Sequence, residues 1–296
     1  FDDAKVAVVQ APQAHRAWQR QPLRRMMNYE YDGFFRIGMH HRNERDAIIQ
    51  HGTMTLIRAQ ALHRHGRWAE WTICEDAELG LRLMNAGLST IYVDRVMGEG
   101  LTPDDFAAFR KQRRRWAQGG MQIMVGHWRA LVSGQALSPG QRYHFLAGWL
   151  PWLGDALHLV FAFGAMFWTL AVIAAPRYFS LPIPLFMVPL FVFFAGRALF
   201  GPLLYARRVR CAGIDIAGSA LAGMGLSHAI ARGIFSGLVL RGGVFEITRK
   251  GSAAAGAARP GSGYGAVREE AFLLAGLVAC MAGMALSDAP ARIESA

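Results

Sequence analysis

The sequence predicts an α/β domain followed by an α-helical membrane region. Short apolar runs alternate with amphipathic stretches in the first part of the chain, where arginine is also dense. Later runs are almost wholly apolar over about twenty residues, the length that spans the hydrocarbon core of a bilayer. We therefore assign residues 1–135 to a soluble part and residues 136–296 to a membrane part.

The soluble part is predicted to begin with alternating short strands and helices. The apolar run at residues 6–9 ends before Pro12, as a buried strand does. Leu79 and Leu83 are four residues apart and Gly87 follows them, which predicts a helix that ends there. Similar patterns predict strands at residues 52–57 and 88–93 and helices at residues 59–65 and 75–86.

A longer helix is predicted from residue 102 onward. Thr102 suits the N-cap, Pro103 suits the first helical position, and Asp104 and Asp105 suit the first turn. The helix should continue past residue 116, and the glycine pair at residues 119–120 can bend or end it.

This helix carries the pattern Q-x-x-R-W at Gln112, Arg115 and Trp116. Residues at i, i+3 and i+4 share one helix face. A guanidinium pairs with a diphosphate, an amide both donates and accepts hydrogen bonds, and an indole offers an apolar face to a sugar ring. Taken alone, these residues favour the simpler interpretation of a solvated basic helix with one buried tryptophan.

An acidic cluster at Glu75, Asp76 and Glu78 precedes that helix. An acceptor hydroxyl that attacks an anomeric carbon must lose its proton, and a carboxylate within hydrogen-bond reach can take it. Asp76 is our candidate for this base. The alternative is that all three acids only favour the start of their helix, where the helix dipole stabilises negative charge.

The second half of the chain predicts three membrane spans and one helix at the membrane surface. The spans are apolar and long enough, at residues 156–175, 183–204 and 270–287. The stretch 212–240 contains His228 and Arg232 among small residues, so we predict an amphipathic interface helix, with a fourth span as the alternative. Trp149 and Trp152 are predicted as interfacial residues, with stacking on sugars as the alternative.

The charge distribution favours a membrane over nucleic acid as the partner. The net charge is +11, and its clusters at residues 207–210 and 249–250 lie beside apolar runs. The positive-inside rule then places residues 1–145, 205–212 and 241–269 on the cytoplasmic side. The three cysteines show no C-x-x-C spacing, so neither a zinc site nor a disulfide framework is predicted.

Five motifs, in order, give the chain a family resemblance. They are V-Q-A-P at residues 9–12, H-G-T at 51–53, C-E-D at 74–76, Q-x-x-R-W at 112–116 and F-E-I-T-R-K-G at 245–251. The chain resembles the processive family-two glycosyltransferases, the group that includes the cellulose synthase-like β-glucan synthases. It departs from the family pattern by Ala for Thr in the first motif, His for Cys at 51, Cys for Thr at 74 and Ile for Val at 247.

The resemblance implies a partial GT-A-like glycosyltransferase domain and a role for each matching residue. Asp76 would be the catalytic base. Gln112 and Arg115 would bind the donor diphosphate, and Trp116, Glu75 and His51 would bind the acceptor. A gating-type loop at residues 244–251, with Phe245, Thr248 and Lys250, would close over the nucleotide. The alternative for that loop is a basic turn beside the membrane.

The resemblance also implies an activity and a location. The protein would transfer a hexose, with glucose from UDP-glucose as first choice, to a growing β-linked polysaccharide with inversion at the anomeric carbon. It would be a multi-pass protein of the bacterial inner membrane with its catalytic part in the cytosol. A chitin, hyaluronan or mannan synthase is the alternative within the class, and a non-catalytic membrane scaffold is the alternative outside it.

A divalent cation, Mg or Mn, is implied for the full-length protein. In the family, the acidic motifs that hold the nucleotide and its metal precede V-Q-T-P, and Asp2-Asp3 lacks their D-x-D spacing. We therefore expect the metal ligands outside this chain. Because the chain opens at Phe1 without a methionine, we expect it to be a piece of a longer protein and inactive in isolation.

Overall fold

A computed structural model describes residues 1–134, 136–180, 184–240, 242 and 267–287. The predicted gating-type loop at residues 244–251, including Phe245, Thr248 and Lys250, lies outside these residues.

A three-stranded sheet lies in the N-terminal part of the chain. Strand β1 (Val6–Gln10) lies in its centre, antiparallel to β3 (Thr55–Ile57) and parallel to β4 (Ser89–Tyr92). Strands β2 (Ala14–His15) and β5 (Glu99–Gly100) form a separate parallel pair. The sequence prediction of an α/β fold is thereby confirmed.

Helices make up most of the remaining described chain. They are α1 (Pro22–Gly33), which continues as a π-helical segment (Phe34–Met39), α2 (His40–Asn43), α3 (Ala59–Arg64), α4 (Glu75–Asn85), α5 (Phe106–Gly126), α6 (Trp128–Ser133), α7 (Pro139–Ala174), α8 (Pro184–Arg208), α9 (Gly213–Val239) and α10 (Arg268–Leu286). The predicted helices at 59–65 and 75–86 match α3 and α4 to within one residue.

Two predicted element starts are wrong, each because a turn occupies the first residues. The strand expected from residue 52 begins at Thr55, since the chain turns at Met54, whose φ is 55°. The helix expected from Thr102 begins at Phe106, and Asp105 is its N-cap. The Asp105 side chain accepts a hydrogen bond from the backbone N–H of Ala108 (2.7 Å).

The glycine pair at residues 119–120 does not end α5, which runs on to Gly126. Instead, the two glycines let other segments approach the helix. A Cβ on Gly119 would lie 2.4 Å from the Cys74 sulfur, and a Cβ on Gly120 would lie 2.0 Å from the Trp149 ring. The two positions therefore fix how closely the acidic cluster and α7 pack on the Q-x-x-R-W helix.

Helix α9 packs lengthwise on α5. Gly233 and Gly237 face it, because a Cβ on either would lie within 2.5 Å of a backbone oxygen of α5, that of Arg114 or Gln118. Small residues at i and i+4 permit this close approach. Helix α9 also packs against α1 and α7.

Three described helices are long and apolar enough to cross a membrane: α7, α9 and α10. Helices α7 and α10 cover the predicted spans at 156–175 and 270–287 except for the last residue of each. Helix α9 meets the same criterion, although half of its most apolar window is buried inside the chain. The span at 183–204, the interface position of 212–240 and the choice between three and four spans stay predictions.

Candidate active site

A cavity of about 490 Å³ lies between α4, α5, α7 and the turn before β3. Six of the nine residues predicted for the site line it: His51, Glu75, Asp76, Gln112, Arg115 and Trp116. We call it the Asp76 cavity. The C-E-D and Q-x-x-R-W motifs are far apart in the sequence, but residues of both line this one cavity.

Asp76 lies in the first turn of α4, partly buried. Its Oδ1 accepts a hydrogen bond from the backbone N–H of Ala77 (2.8 Å), and the backbone N–H of Gly52 also bonds the carboxylate. Burial raises the pKa of Asp76 above its usual value, although these N–H groups and the charge of Arg115 oppose the rise. A raised pKa makes the ionised carboxylate a stronger base.

Gly52 lies against this carboxylate. A Cβ on Gly52 would lie only 3.1 Å from Oδ2 of Asp76. The glycine of the H-G-T motif thus lets the backbone approach the carboxylate closely enough to donate to it. Burial also raises the pKa of the neighbouring Glu75.

Cys74 joins the acidic cluster to α5. Its sulfur lies 3.9 Å from the backbone oxygens of Arg115 and Trp116. Burial raises the pKa of its thiol well above the usual value, so the thiol is neutral and serves as packing. The backbone N–H of Ile73 donates to the side-chain oxygen of Gln122 (3.3 Å), which extends the same contact.

His51 and Trp116 lie in an aromatic cluster on one side of the cavity. Their ring centroids are 6.0 Å apart with nearly parallel planes, and Phe34 is 4.5 Å from His51. Burial lowers the pKa of His51 to about 4, and the positive charges of Arg113 and Arg42 act in the same direction. His51 is therefore neutral at physiological pH, and its Nε2 has no hydrogen-bond partner among the described residues.

Arg113 belongs to the site but was not predicted. It is buried, forms an ion pair with Glu30 of α1, and places its guanidinium carbon 4.4 Å from the centre of the Trp116 ring. The rings of Tyr31 and Phe109 lie 5.4 and 5.1 Å from the same carbon. The i, i+3 spacing of Arg113 and Trp116 was a signal for this contact, whereas nothing local predicts Glu30.

A network of glutamine amides supports the H-G-T turn and was also not predicted. The side-chain oxygen of Gln10 accepts from the His51 N–H (2.8 Å) and from the Thr55 hydroxyl (2.7 Å). The side-chain oxygen of Gln13 accepts from the Thr53 hydroxyl (2.8 Å). The V-Q-A-P motif therefore holds the turn that presents His51 and Gly52 to the cavity.

Trp149 was predicted as an interfacial residue, but its side chain is buried. It is 6% exposed and lines the Asp76 cavity, because Gly120 leaves room for its ring. Its Nε1 has no hydrogen-bond partner among the described residues. Trp152 lies against it at 5.2 Å and lines the same cavity.

The described residues do not fit a divalent cation. Across residues 1–134, 136–180, 184–240, 242 and 267–287, no three His, Cys, Asp or Glu side chains lie close enough together to hold one. The expectation of a metal bound elsewhere in the full-length protein stays a prediction.

A family model described as glycosyl transferase family group 2 matches residues 1–196. Cellulose synthase 1 of Komagataeibacter xylinus is 28% identical over 166 residues, which are 54% of this chain and 10% of that protein. The UDP-forming cellulose synthase catalytic subunit of Komagataeibacter sucrofermentans is 30% identical over 151 residues, which are 49% of this chain and 19% of that protein.

A plant protein is also similar. The probable glucomannan 4-beta-mannosyltransferase 2 of Oryza sativa subsp. japonica is 27% identical over 95 residues, which are 32% of this chain and 16% of that protein. The match to these three relatives thus spans between 10% and 19% of their own length.

Proposed function

The chain belongs to glycosyl transferase family group 2 and is cellulose synthase-like, and from this premise we propose that it forms the acceptor side of a membrane-bound polysaccharide synthase. The reaction is transfer of a hexose from a nucleotide sugar to a growing β-linked chain, with inversion at the anomeric carbon. The observation that carries the proposal is the meeting of the Asp76 carboxylate and the Trp116 indole in one cavity.

Asp76 is the general base of the proposed reaction. The acceptor hydroxyl oxygen forms a bond to the anomeric carbon while the bond from that carbon to the diphosphate oxygen breaks. The hydroxyl proton passes to the Asp76 carboxylate, and the electron pair of the broken bond leaves with the diphosphate. Backbone N–H groups on one side fix the carboxylate, which supports a single productive orientation.

Gln112 and Arg115 bind the leaving diphosphate in this proposal. Arg115 lies close enough to Asp76 to lower its pKa, so the positive charge is near the reacting centre. A guanidinium stabilises the charge that develops on a departing phosphate oxygen. Gln112 is buried one helical turn before Trp116, where its amide faces the same cavity.

Trp116 and the aromatic residues around it bind the acceptor sugar. The indole is held by the Arg113 guanidinium and by the rings of His51 and Tyr31. His51 Nε2 and Trp149 Nε1 are buried and lack partners among the described residues, so a sugar hydroxyl would reach them only if the neighbouring side chains moved. The apolar helices that follow support a path for the polymer into the bilayer.

The test is radiolabelled transfer from UDP-glucose in membranes that contain the full-length protein. Asp76→Asn keeps the shape of the side chain but removes the base, and we expect a loss of about 10²-fold or more. Asp2→Asn makes the same chemical change at an exposed position outside the cavity and should keep full activity. Equal incorporation by wild type and Asp76→Asn would exclude Asp76 as the base.

The identity of the transferred hexose is a more specific part of the proposal. Glucose is the first choice because two of the similar proteins are cellulose synthases, and mannose is the second because the third is named as a mannosyltransferase. The same membranes incubated with a nucleotide-activated mannose provide the comparison. Greater Asp76-dependent incorporation of mannose than of glucose would reverse the order.

A further inference from the structure

A second cavity, of about 630 Å³, lies at the C-terminal end of α8. The π-helical segment and α2 form one wall, with Arg36 and His40. Arg207, Arg208 and Arg210 form the other. We call it the arginine cavity, and none of its residues lines the Asp76 cavity.

The two walls of the arginine cavity are fixed to each other. The Tyr205 hydroxyl donates to the backbone oxygen of Glu30 (3.2 Å). The Tyr205 ring also packs on Gly33, where a Cβ would lie 2.1 Å from the hydroxyl oxygen. The end of α8 is thus seated against the end of α1, and the cavity beside it has a defined shape.

The charges in the arginine cavity are not balanced. Its two carboxylates face histidines: Asp94 lies 3.2 Å from His40, and Glu44 lies 3.8 Å from His41. Arg36, Arg207, Arg208 and Arg210 form no ion pair with any residue in the described ranges. Arg207, Arg208 and Arg210 therefore border the cavity without a carboxylate partner among the described residues. Arg36 lies near the Asp32 carboxylate, whose ionised form it stabilises. The remaining excess of positive charge suits an anion.

The backbone supports this interpretation at Arg210. The N–H groups of Val209 and Arg210 both donate to the backbone oxygen of Tyr205 (2.9 and 3.3 Å), which closes the helix end. Arg210 has a φ of 55°, in the left-handed region that glycine adopts most readily. An arginine is present there despite local backbone strain, and its guanidinium borders the cavity.

The surface next to the cavity is apolar. Leu199, Phe200 and Leu203, in the two turns before Arg207, are 73%, 62% and 46% exposed. A ligand with a phosphate and acyl chains would satisfy both surfaces at once, whereas a soluble anion would use only the arginines. We propose that the arginine cavity binds the phosphate of an anionic phospholipid headgroup whose acyl chains lie along α8.

The experiment compares lipid retention by the full-length protein in detergent. The protein is exchanged into mixed micelles with equal fractions of phosphatidylglycerol and phosphatidylcholine, and retained lipid is counted by native mass spectrometry. Wild type should retain phosphatidylglycerol preferentially. The triple variant Arg207→Gln, Arg208→Gln, Arg210→Gln should reduce that retention by about tenfold or more.

Two further variants separate a built site from general juxtamembrane charge. Arg36→Gln changes only the opposite wall and should also reduce retention, because both walls bind one phosphate. The triple control Arg16→Gln, Arg20→Gln, Arg64→Gln removes the same charge at exposed positions outside the cavity and should retain the lipid. Thermal unfolding of each variant checks that the fold is kept.

Three outcomes would overturn the proposal. Unchanged retention in the first triple variant or in Arg36→Gln would show that the cavity binds no headgroup. Equal loss in the control would assign the effect to net charge. Displacement of phosphatidylglycerol by millimolar inorganic phosphate would assign the site to a soluble anion. None of these outcomes bears on Asp76, so the proposed transferase activity is tested separately.

Discussion

The Asp76 cavity and the arginine cavity both bring arginines and carboxylates together, but they hold them differently. In the first, Arg113 has a side chain that is 7% exposed, pairs with Glu30 and lies against three aromatic rings. In the second, Arg36 and Arg208 are exposed and have no ion-pair partner among the described residues.

The difference separates two uses of positive charge. A guanidinium with several fixed partners keeps its position, which a site needs when it must orient a reacting group. An exposed guanidinium can follow the ligand that it meets, which suits a headgroup in a fluid bilayer. We expect the first cavity to be rigid and sensitive to substitution, and the second to tolerate the same substitutions without loss of stability.

Replacing the same residue type in both cavities gives the largest expected contrast. Arg113→Met should lower the free energy of unfolding by about 2 kcal/mol, because it leaves the partly buried Glu30 carboxylate without its partner and removes the buried guanidinium from three aromatic rings. Arg36→Met should change it by less than about 0.5 kcal/mol, as surface substitutions do. Urea unfolding followed by tryptophan fluorescence measures both.

Two outcomes decide this comparison. Similar losses in both variants would mean that the two cavities are equally rigid. A small loss in Arg113→Met would mean that Glu30 finds water or another partner. The double variant Arg113→Met, Glu30→Leu should recover part of the stability, since it removes both charges.

Glycine substitutions test the same contrast through packing. In Gly119→Ala, the new Cβ would overlap the sulfur and Cβ of Cys74, so we expect a loss of about 2 kcal/mol. In Gly38→Ala, next to the arginine cavity, the Cβ would meet only the end of the Arg42 side chain, and a loss below about 1 kcal/mol is expected. Thermal unfolding measures the loss of stability in each variant. A larger loss in Gly38→Ala than in Gly119→Ala would contradict the expected difference between the two cavities.

A pH series gives an effect no larger than that of Gly119→Ala. Because burial lowers the pKa of His51 to about 4 in the folded chain, the unfolded chain takes up the proton first as the pH falls below about 6.5. The free energy of unfolding should therefore be about 2 kcal/mol lower at pH 5 than at pH 8 from this residue alone. Urea unfolding at both pH values measures the difference.

The variant His51→Cys carries the cysteine of the C-G-T pattern described above, and it has no imidazole to titrate. It should remove most of the pH 5 to pH 8 difference attributed to residue 51. If wild type and variant lose the same stability at pH 5, the histidine is hydrated enough to be protonated without unfolding.

The sequence predicted those parts of the site that depend on local geometry. Gln112, Arg115 and Trp116 reach one cavity because the helical repeat fixes their face, and Asp76 follows from an acid at the start of a helix. The helix start was misplaced by three residues, from an N-cap at Thr102 to one at Asp105, because both residues are good caps. Thr102 is buried in the loop before the helix, and only the folded chain shows this.

Contacts between distant segments could not be predicted. Glu30 and Arg113 are 83 residues apart, and Tyr205 and Gly33 meet although helices α2 to α7 lie between them in the sequence. No periodicity links such pairs, since their meeting depends on how α1, α5 and α8 pack. The role of Gln10 could not be predicted for the same reason, because its partners His51 and Thr55 are 41 and 45 residues away in the sequence.

The glycine-lined contact between α5 and α9 makes the motif helix move with the membrane region. Gly233 and Gly237 bring the two backbones together without intervening side chains, so neither helix can slide without the other. A displacement of α9 would therefore displace the helix that carries Trp116. Under the proposed function, a detergent that shifts α9 would lower the transfer rate before it unfolds the sheet.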